Sequence, residues 1–276
     1  MDVGTGTPVL LIHGQPGSGQ EWHLVAESLR SDHRVIAPDR PGWGSHPRPP
    51  TTLAGNAEAL SRMLAERGVS AEAGDRVVVV GHSLGGGIAL ELALTRADLV
   101  GALVLIGSVG VAGALTGMDR LLALPVLGDG VLRAGEVAVR RAARAATRLS
   151  QGSRAESIVG WAHRFPAVRS LVAEGDRQMD GRDRRSFLVE QRALMEETPL
   201  IERRLSSLRM PCVVLHGSAD RIVAPQAARD LAAAIPGAEL MFVGNAGHRL
   251  PFEQPSLVAT TVRRYSRLMA LHRDES

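Results

Sequence analysis

Lysine is missing from this chain of 276 residues: all 32 basic side chains are arginines, set against 29 acidic ones. The net charge is only +3, and no basic run concentrates it. A charge so small and scattered argues against a nucleic-acid partner. Cysteine is nearly missing too. The single Cys212 has no partner within the chain for a disulfide, which points to a reducing compartment and a cytoplasmic protein. Its place in the apolar run Cys212 to Leu215 reads as a buried, inert thiol. The opening MDVGTGTPVLLIHG lacks the basic-then-apolar pattern of a signal peptide. Leu99 to Met118 is uncharged over a length that would cross a bilayer, but its five glycines and the run Ala102 to Ile106 read as a strand entering a loop. No membrane partner is expected. The chain also lacks a metal-ligand cluster, a phosphate-cradling loop, an internal repeat and a low-complexity linker, so neither metal nor cofactor is implied.

What is present is a globular composition, 45% hydrophobic and 22% charged, long enough for one large α/β domain with an insertion. Short apolar runs at Val9 to Ile12, Val35 to Ala37, Val77 to Val80, Ala102 to Ile106, Cys212 to Leu215 and Leu240 to Val243 read as buried strands. Helical spacing puts Trp22, Val25, Ala26 and Leu29 on one face of a helix over Gln20 to Leu29. Leu53, Ala57, Leu60 and Leu64 lie on another helix, which Gly68 stops. Gly86 to Leu94, Gln226 to Ile235 and Ser256 to Leu271 also read as helices. The alternation of strand and helix predicts a mostly parallel open sheet of about six strands, covered on both faces. From Gly110 to Leu208 the alternation stops, and helical patterns such as Val131 to Leu149 and Ser186 to Glu196 take over. This stretch reads as a helical lid, dividing the chain into core 1–109, lid 110–208 and core 209–276. The lid carries more arginine than acid, a hint of an anionic substrate, although solvated helix faces give the same bias.

Chemistry is expected first at Val77 to Gly87, VVVVGHSLGGG. Gly81-His82-Ser83-Leu84-Gly85 fits the G-x-S-x-G nucleophile elbow, a sharp strand-to-helix turn that lifts the serine hydroxyl clear of its backbone. Side chains two residues before and after the serine would collide there, which gives both glycines a steric reason. An ordinary glycine-rich turn carries the same pentapeptide, so the rest of the chain has to supply a base. Two later loops, each following a predicted strand, carry Asp220 and His248, and in an open parallel sheet such loops share one crevice.

HGQPG at His13 to Gly17, DRPGWGS at Asp39 to Ser45, GHSLGG at Gly81 to Gly86, HGSAD at His216 to Asp220 and AGHRLPFEQP at Ala246 to Pro255 occur in the order found in the α/β-hydrolase superfamily. The chain resembles its lid-bearing serine hydrolases. The resemblance implies that Ser83 attacks a carbonyl carbon, that His248 takes and returns the proton, and that Asp220 orients the His248 ring. It also implies an oxyanion hole of two backbone N–H groups, one from Leu84 and one from the first loop. There Pro16 has no N–H, which leaves Gln15. His13, His216 and His82 read as packed, hydrogen-bonded side chains, and Asp39 and Arg40 as organisers of the turn before Trp43. Trp43, together with Trp161, Phe165, Phe187 and Met195 of the lid, is a candidate to line the pocket.

A serine at the elbow excludes the epoxide-opening and dehalogenating members, which use aspartate there. Hydrolysis of a small-molecule ester, lactone or thioester comes first. Carbon–carbon cleavage of a diketo acid and perhydrolase or cofactor-free haloperoxidase chemistry follow. A non-catalytic ligand-binding module with the same fold is the reading from a different class. One departure concerns the first strand: the family carries a strand pair ahead of it, and only seven residues precede Pro8. Val35 to Ala37 is then left at an open sheet edge, where a homo-oligomer would form.

Overall fold

The computed structural model describes residues 1–135, 137, 141 and 180–274. Its strands are β1 (Asp2–Val3), β2 (Thr7–Ile12), β3 (His33–Ile36), β4 (Val77–His82), β5 (Val100–Ile106), β6 (Cys212–Gly217) and β7 (Glu239–Val243). They form one seven-stranded sheet in the order β1-β3-β2-β4-β5-β6-β7. Every neighbouring pair is parallel except β1 with β3. This is the α/β hydrolase fold.

Strand side chains alternate between faces, so a strand covered on both sides needs apolar residues at every position. In β4, Val77 and Val79 join Leu10, Ile12, Leu103 and Val214 in one core layer. Val78 and Val80 join Leu11, Val104 and Val213 in the other. All four β4 valines have no exposed surface, and burying each is worth roughly 1.5–3 kcal/mol. On the first layer lie α2 (Leu53–Glu66), α3 (Leu84–Thr95) and α6 (Pro225–Ala234); on the second lie α1 (His23–Leu29), α7 (Leu250–Glu253) and α8 (Pro255–Asp274). Helix α2 starts at Thr52, whose hydroxyl accepts from the Gly55 amide, and the chain turns at Gly68, with φ +73°.

The sheet has one strand more than expected. Asp2 and Val3 pair antiparallel with Ile36 and Val35, and the Ala37 amide donates to Met1 O. The edge of β3 is therefore covered, which removes the ground for self-association there. Two glycines make this possible. The chain crosses the start of β3 so closely that a Cβ at Gly4 would lie 2.3 Å from His33 O, and Gly4 and Gly6 have φ of +78° and +105°. Short edge strands of this kind give little purchase for further pairing.

Between β5 and β6 the described residues hold α4 (Gly117–Ala123) and α5 (Gly181–Glu202). Thr116 and Asp119 form a capping box at the start of α4, and Asp180 caps α5 by accepting from the amides of Arg182 and Asp183. The first half of α5 packs Leu188 and the half-buried Phe187 against Leu122 and Leu132. Its second half puts Ala193, Leu194 and Ile201 into the sheet-facing core. The end of the insertion is thus continuous with that core. Most of the helix expected over Val131 to Leu149 lies outside the described residues.

Candidate active site

Strand β4 passes into α3 at Ser83, which has φ 53° and ψ −121°. A positive φ in a residue with a Cβ costs on the order of 1–3 kcal/mol and persists only where neighbours enforce it. Here the Ser83 amide donates to Ile106 O, and Ser83 O accepts from the amides of Gly86 and Val109. Gly81 is needed for the reason the pentapeptide suggests, and Gly85 because the end of β2 passes against it. A Cβ at Gly81 would come within 2.4 Å of Gly85 O, and one at Gly85 within 2.3 Å of Ile12 O.

Asp220 and His248 meet at the same end of the sheet. His248 Nδ1 donates to Asp220 Oδ2 at 2.8 Å, while Asp220 Oδ1 accepts from the amides of Ile222 and Val223. Burial works against the Asp220 charge, but the His248 hydrogen bond and charge hold its carboxyl below the usual range. With Nδ1 committed to Asp220, His248 Nε2 is the nitrogen left to act as base. Gly107 lies under both side chains: a Cβ there would sit 3.2 Å from His248 Nδ1 and 3.4 Å from Asp220 Oδ2. Glu253 holds the His248 loop through the amides of Gly247 and Arg249. His216 packs under Asp220, donating Nε2–H to Val223 O at 3.1 Å, and burial pushes its ring below the ordinary histidine value.

The loop after β2 comes close to the serine, since a Cβ at Gly14 would lie 3.2 Å from Ser83 Cβ. Leu84 opens α3, so its N–H has no partner within its own helix. Neither the Leu84 amide nor the Gln15 amide has an acceptor among the described residues. The Gln15 side chain donates to Gln191 Oε1, and Gln191 donates in turn to Asp119 Oδ1, both at 2.9 Å. The loop is held from below by Arg40, fully buried, whose guanidinium donates to His13 O and Gly14 O. His13 Nδ1 also donates to Gly14 O, and its Nε2 accepts from the Arg40 amide.

Burial first, and the Arg40 cation second, push the His13 ring down from 6.5 to about 3. The unfolded chain therefore takes up this proton before the native state does. Its contribution to stability is complete above the unfolded value and is lost as pH falls towards 3. Between pH 7 and 5 the loss is about 2 kcal/mol. Urea midpoints measured at both pH values, for native protein and His13→Gln, should show that much less pH dependence in the variant. Equal pH dependence would exclude a buried neutral His13.

Two buried ion pairs here went unforeseen. Arg40 pairs with Glu190 of α5, both wholly buried, and Trp43 Nε1 donates to Glu190 Oε2 at 2.9 Å. The signal was available: Glu190 lies four residues from Ser186 and from Leu194, on the helix face that turns inward. The second pair is Glu21 with His82, the residue before Ser83. No local pattern announces it.

The profile of the alpha/beta hydrolase family matches residues 9–261. The chain belongs to this family. A 2-hydroxymuconate semialdehyde hydrolase of Pseudomonas putida is 32% identical over 281 residues, covering 96% of this chain and 88% of that one. The esterase YbfF of Escherichia coli K12 is 25% identical over 261 residues, covering 94% and 92%. Among solved structures, a thermophilic esterase from Thermogutta terrifontis superposes with a TM-score of 0.70 at 24% identity, covering 98% and 92%.

The pocket candidates of this family member divide. Trp43 is 2% exposed and engaged with Glu190, so it clamps the loop to α5 and has almost no surface for a ligand. Phe187 packs inside the insertion, and Met195 is half-buried on α5. Trp161 and Phe165 lie outside the described residues. Cys212 is buried as expected, and burial pushes its thiol up to about 12. Among the described residues, no group of three or more His, Cys, Asp or Glu side chains is placed to hold a metal, and no helix is long and apolar enough to cross a membrane.

Proposed function

We propose that this α/β hydrolase is a serine hydrolase that cleaves a small-molecule ester, lactone or thioester through an acyl-enzyme. The observation that carries the reading is the 2.8 Å bond from His248 to Asp220 at the strand ends that present Ser83. Ser83 Oγ attacks the carbonyl carbon while His248 Nε2 takes its proton. As the tetrahedral adduct collapses, the leaving alcohol or thiol receives that proton. Water then enters by the same base and releases the acid. Asp220 stabilises the imidazolium, and the amides of Gln15 and Leu84 receive the oxyanion.

A second reading is hydrolysis of a carbon–carbon bond in a diketo acid. It is favoured by the 32% identity with the 2-hydroxymuconate semialdehyde hydrolase, and it uses the same three side chains. A fluorophosphonate probe tests what the two share. The expected product is a single adduct on Ser83 with loss of fluoride, absent from Ser83→Ala; a native chain that does not react would overturn both. A panel of acyl esters, lactones and vinylogous diketo acids then separates them by which class is turned over.

A further inference from the structure

We propose that Glu21 and His82 form a positioning pair that ties the oxyanion loop to the loop carrying the base, and that turnover needs the bond from the His82 ring to the His248 carbonyl. The inference rests on the serine-hydrolase reading above. Both ring nitrogens of His82 face acceptors: Nδ1 meets Glu21 Oε1, and Nε2 lies 2.9 Å from His248 O. A neutral imidazole carries one N–H and serves only one of these, whereas the imidazolium serves both. Glu21 is the counter-charge, and its Oε2 accepts from the Gly14 amide at 3.4 Å. One buried pair therefore joins the loop after β2, the end of β4 and the loop after β7, with the rings of His82 and His248 4.9 Å apart.

Three other groups bear on the proton of His82. Asp220, from the loop after β6, favours the charged ring. His13 faces Glu21 from the end of β2 and is kept neutral by burial, so it does not compete for the carboxylate. Trp22 presents an uncharged ring edge, 6.5 Å between centroids. Burial opposes the charge on His82, but the Glu21 charge and hydrogen bond outweigh it and raise the ring above its ordinary value. Placement of the base matters because a shift of about 1 Å in a catalytic group costs about a hundredfold in rate.

The test is Glu21→Gln, assayed on p-nitrophenyl butyrate from pH 6 to 9 with melting temperature as the check on folding. Without the carboxylate, His82 keeps one N–H at pH 8, and the His248 carbonyl keeps its donor only in the tautomer with that proton on Nε2 and the introduced amide turned to donate to Nδ1. We expect kcat at pH 8 to fall tenfold or more, KM to stay within twofold, and the gap to narrow towards pH 6 as the second proton returns. Adding His82→Gln supplies an uncharged donor for the His248 carbonyl. This double variant should recover most of kcat at every pH, while Glu21→Gln with His82→Leu should not. Where Glu21→Gln costs the fold, the two double variants carry the comparison. Native kcat and pH profile in a folded Glu21→Gln would overturn the need for a charged pair, and equal kcat in the two double variants would overturn the positioning role alone. A native protein that neither turns over the ester nor reacts with a fluorophosphonate would overturn it together with the reading beneath it.

Discussion

Replacing Ser83 with alanine should lower kcat by about a millionfold, the loss typical when the nucleophile of a working triad is removed. The fold should survive, because alanine keeps the Cβ that packs against Gly14 and holds the same φ of 53° that serine does. Ser83→Gly separates chemistry from strain. It is equally inactive, but glycine accepts a positive φ at no steric cost, so its unfolding free energy in urea should rise, by about 1 kcal/mol. Asp220→Asn should cost about ten thousandfold in kcat, since an amide no longer stabilises the imidazolium or holds the ring in the right tautomer. Ester turnover with active-site titration reads all three. A Ser83→Ala protein that keeps about a hundredth of native kcat would exclude the serine as nucleophile.

The second large effect concerns stability. Arg40 and Glu190 each have no exposed side-chain surface. Burial pushes the Glu190 carboxyl above its usual range even against the Arg40 charge and hydrogen bonds, together with a bond from Trp43. The pair is thus costly to bury, and removing half of it is costlier, because an unpaired charge stays inside. Glu190→Leu should lose about 3–5 kcal/mol in urea unfolding. Changing both residues, Arg40→Met with Glu190→Leu, should recover much of the loss. The recovery should not extend to activity, because Arg40 also donates to His13 O and Gly14 O in the loop beside Ser83. A Glu190→Leu protein with native stability would show that the guanidinium finds water or another partner.

The expectation that failed on the fold shows where sequence reading stops. Val35 to Ala37 is short and apolar, and with only seven residues ahead of Pro8 it reads as an exposed edge. Asp2 and Val3 carry no strand signal of their own. They become a strand because two glycines let the chain pass within contact distance of His33 O and pair with β3, a tertiary event with no periodicity to read. Trp43 failed for a related reason. Its size and its loop suggested a pocket wall, and only the arrival of Glu190 shows that its N–H is already used.

What the sequence by itself determined is the local part: six strands by their unbroken apolar runs, the strand-to-helix turn at Ser83 by its glycines, and the loops that carry Asp220 and His248 by their places after β6 and β7. These rest on steric and periodic rules that act within a few residues, which is why they can be read without coordinates. Only the tertiary structure decided which charges share the interior. Glu21 and His82 are 61 residues apart, and Arg40 and Glu190 are 150 apart. A buried carboxylate takes whichever donor the packed chain brings to it, and no spacing in the sequence records that choice.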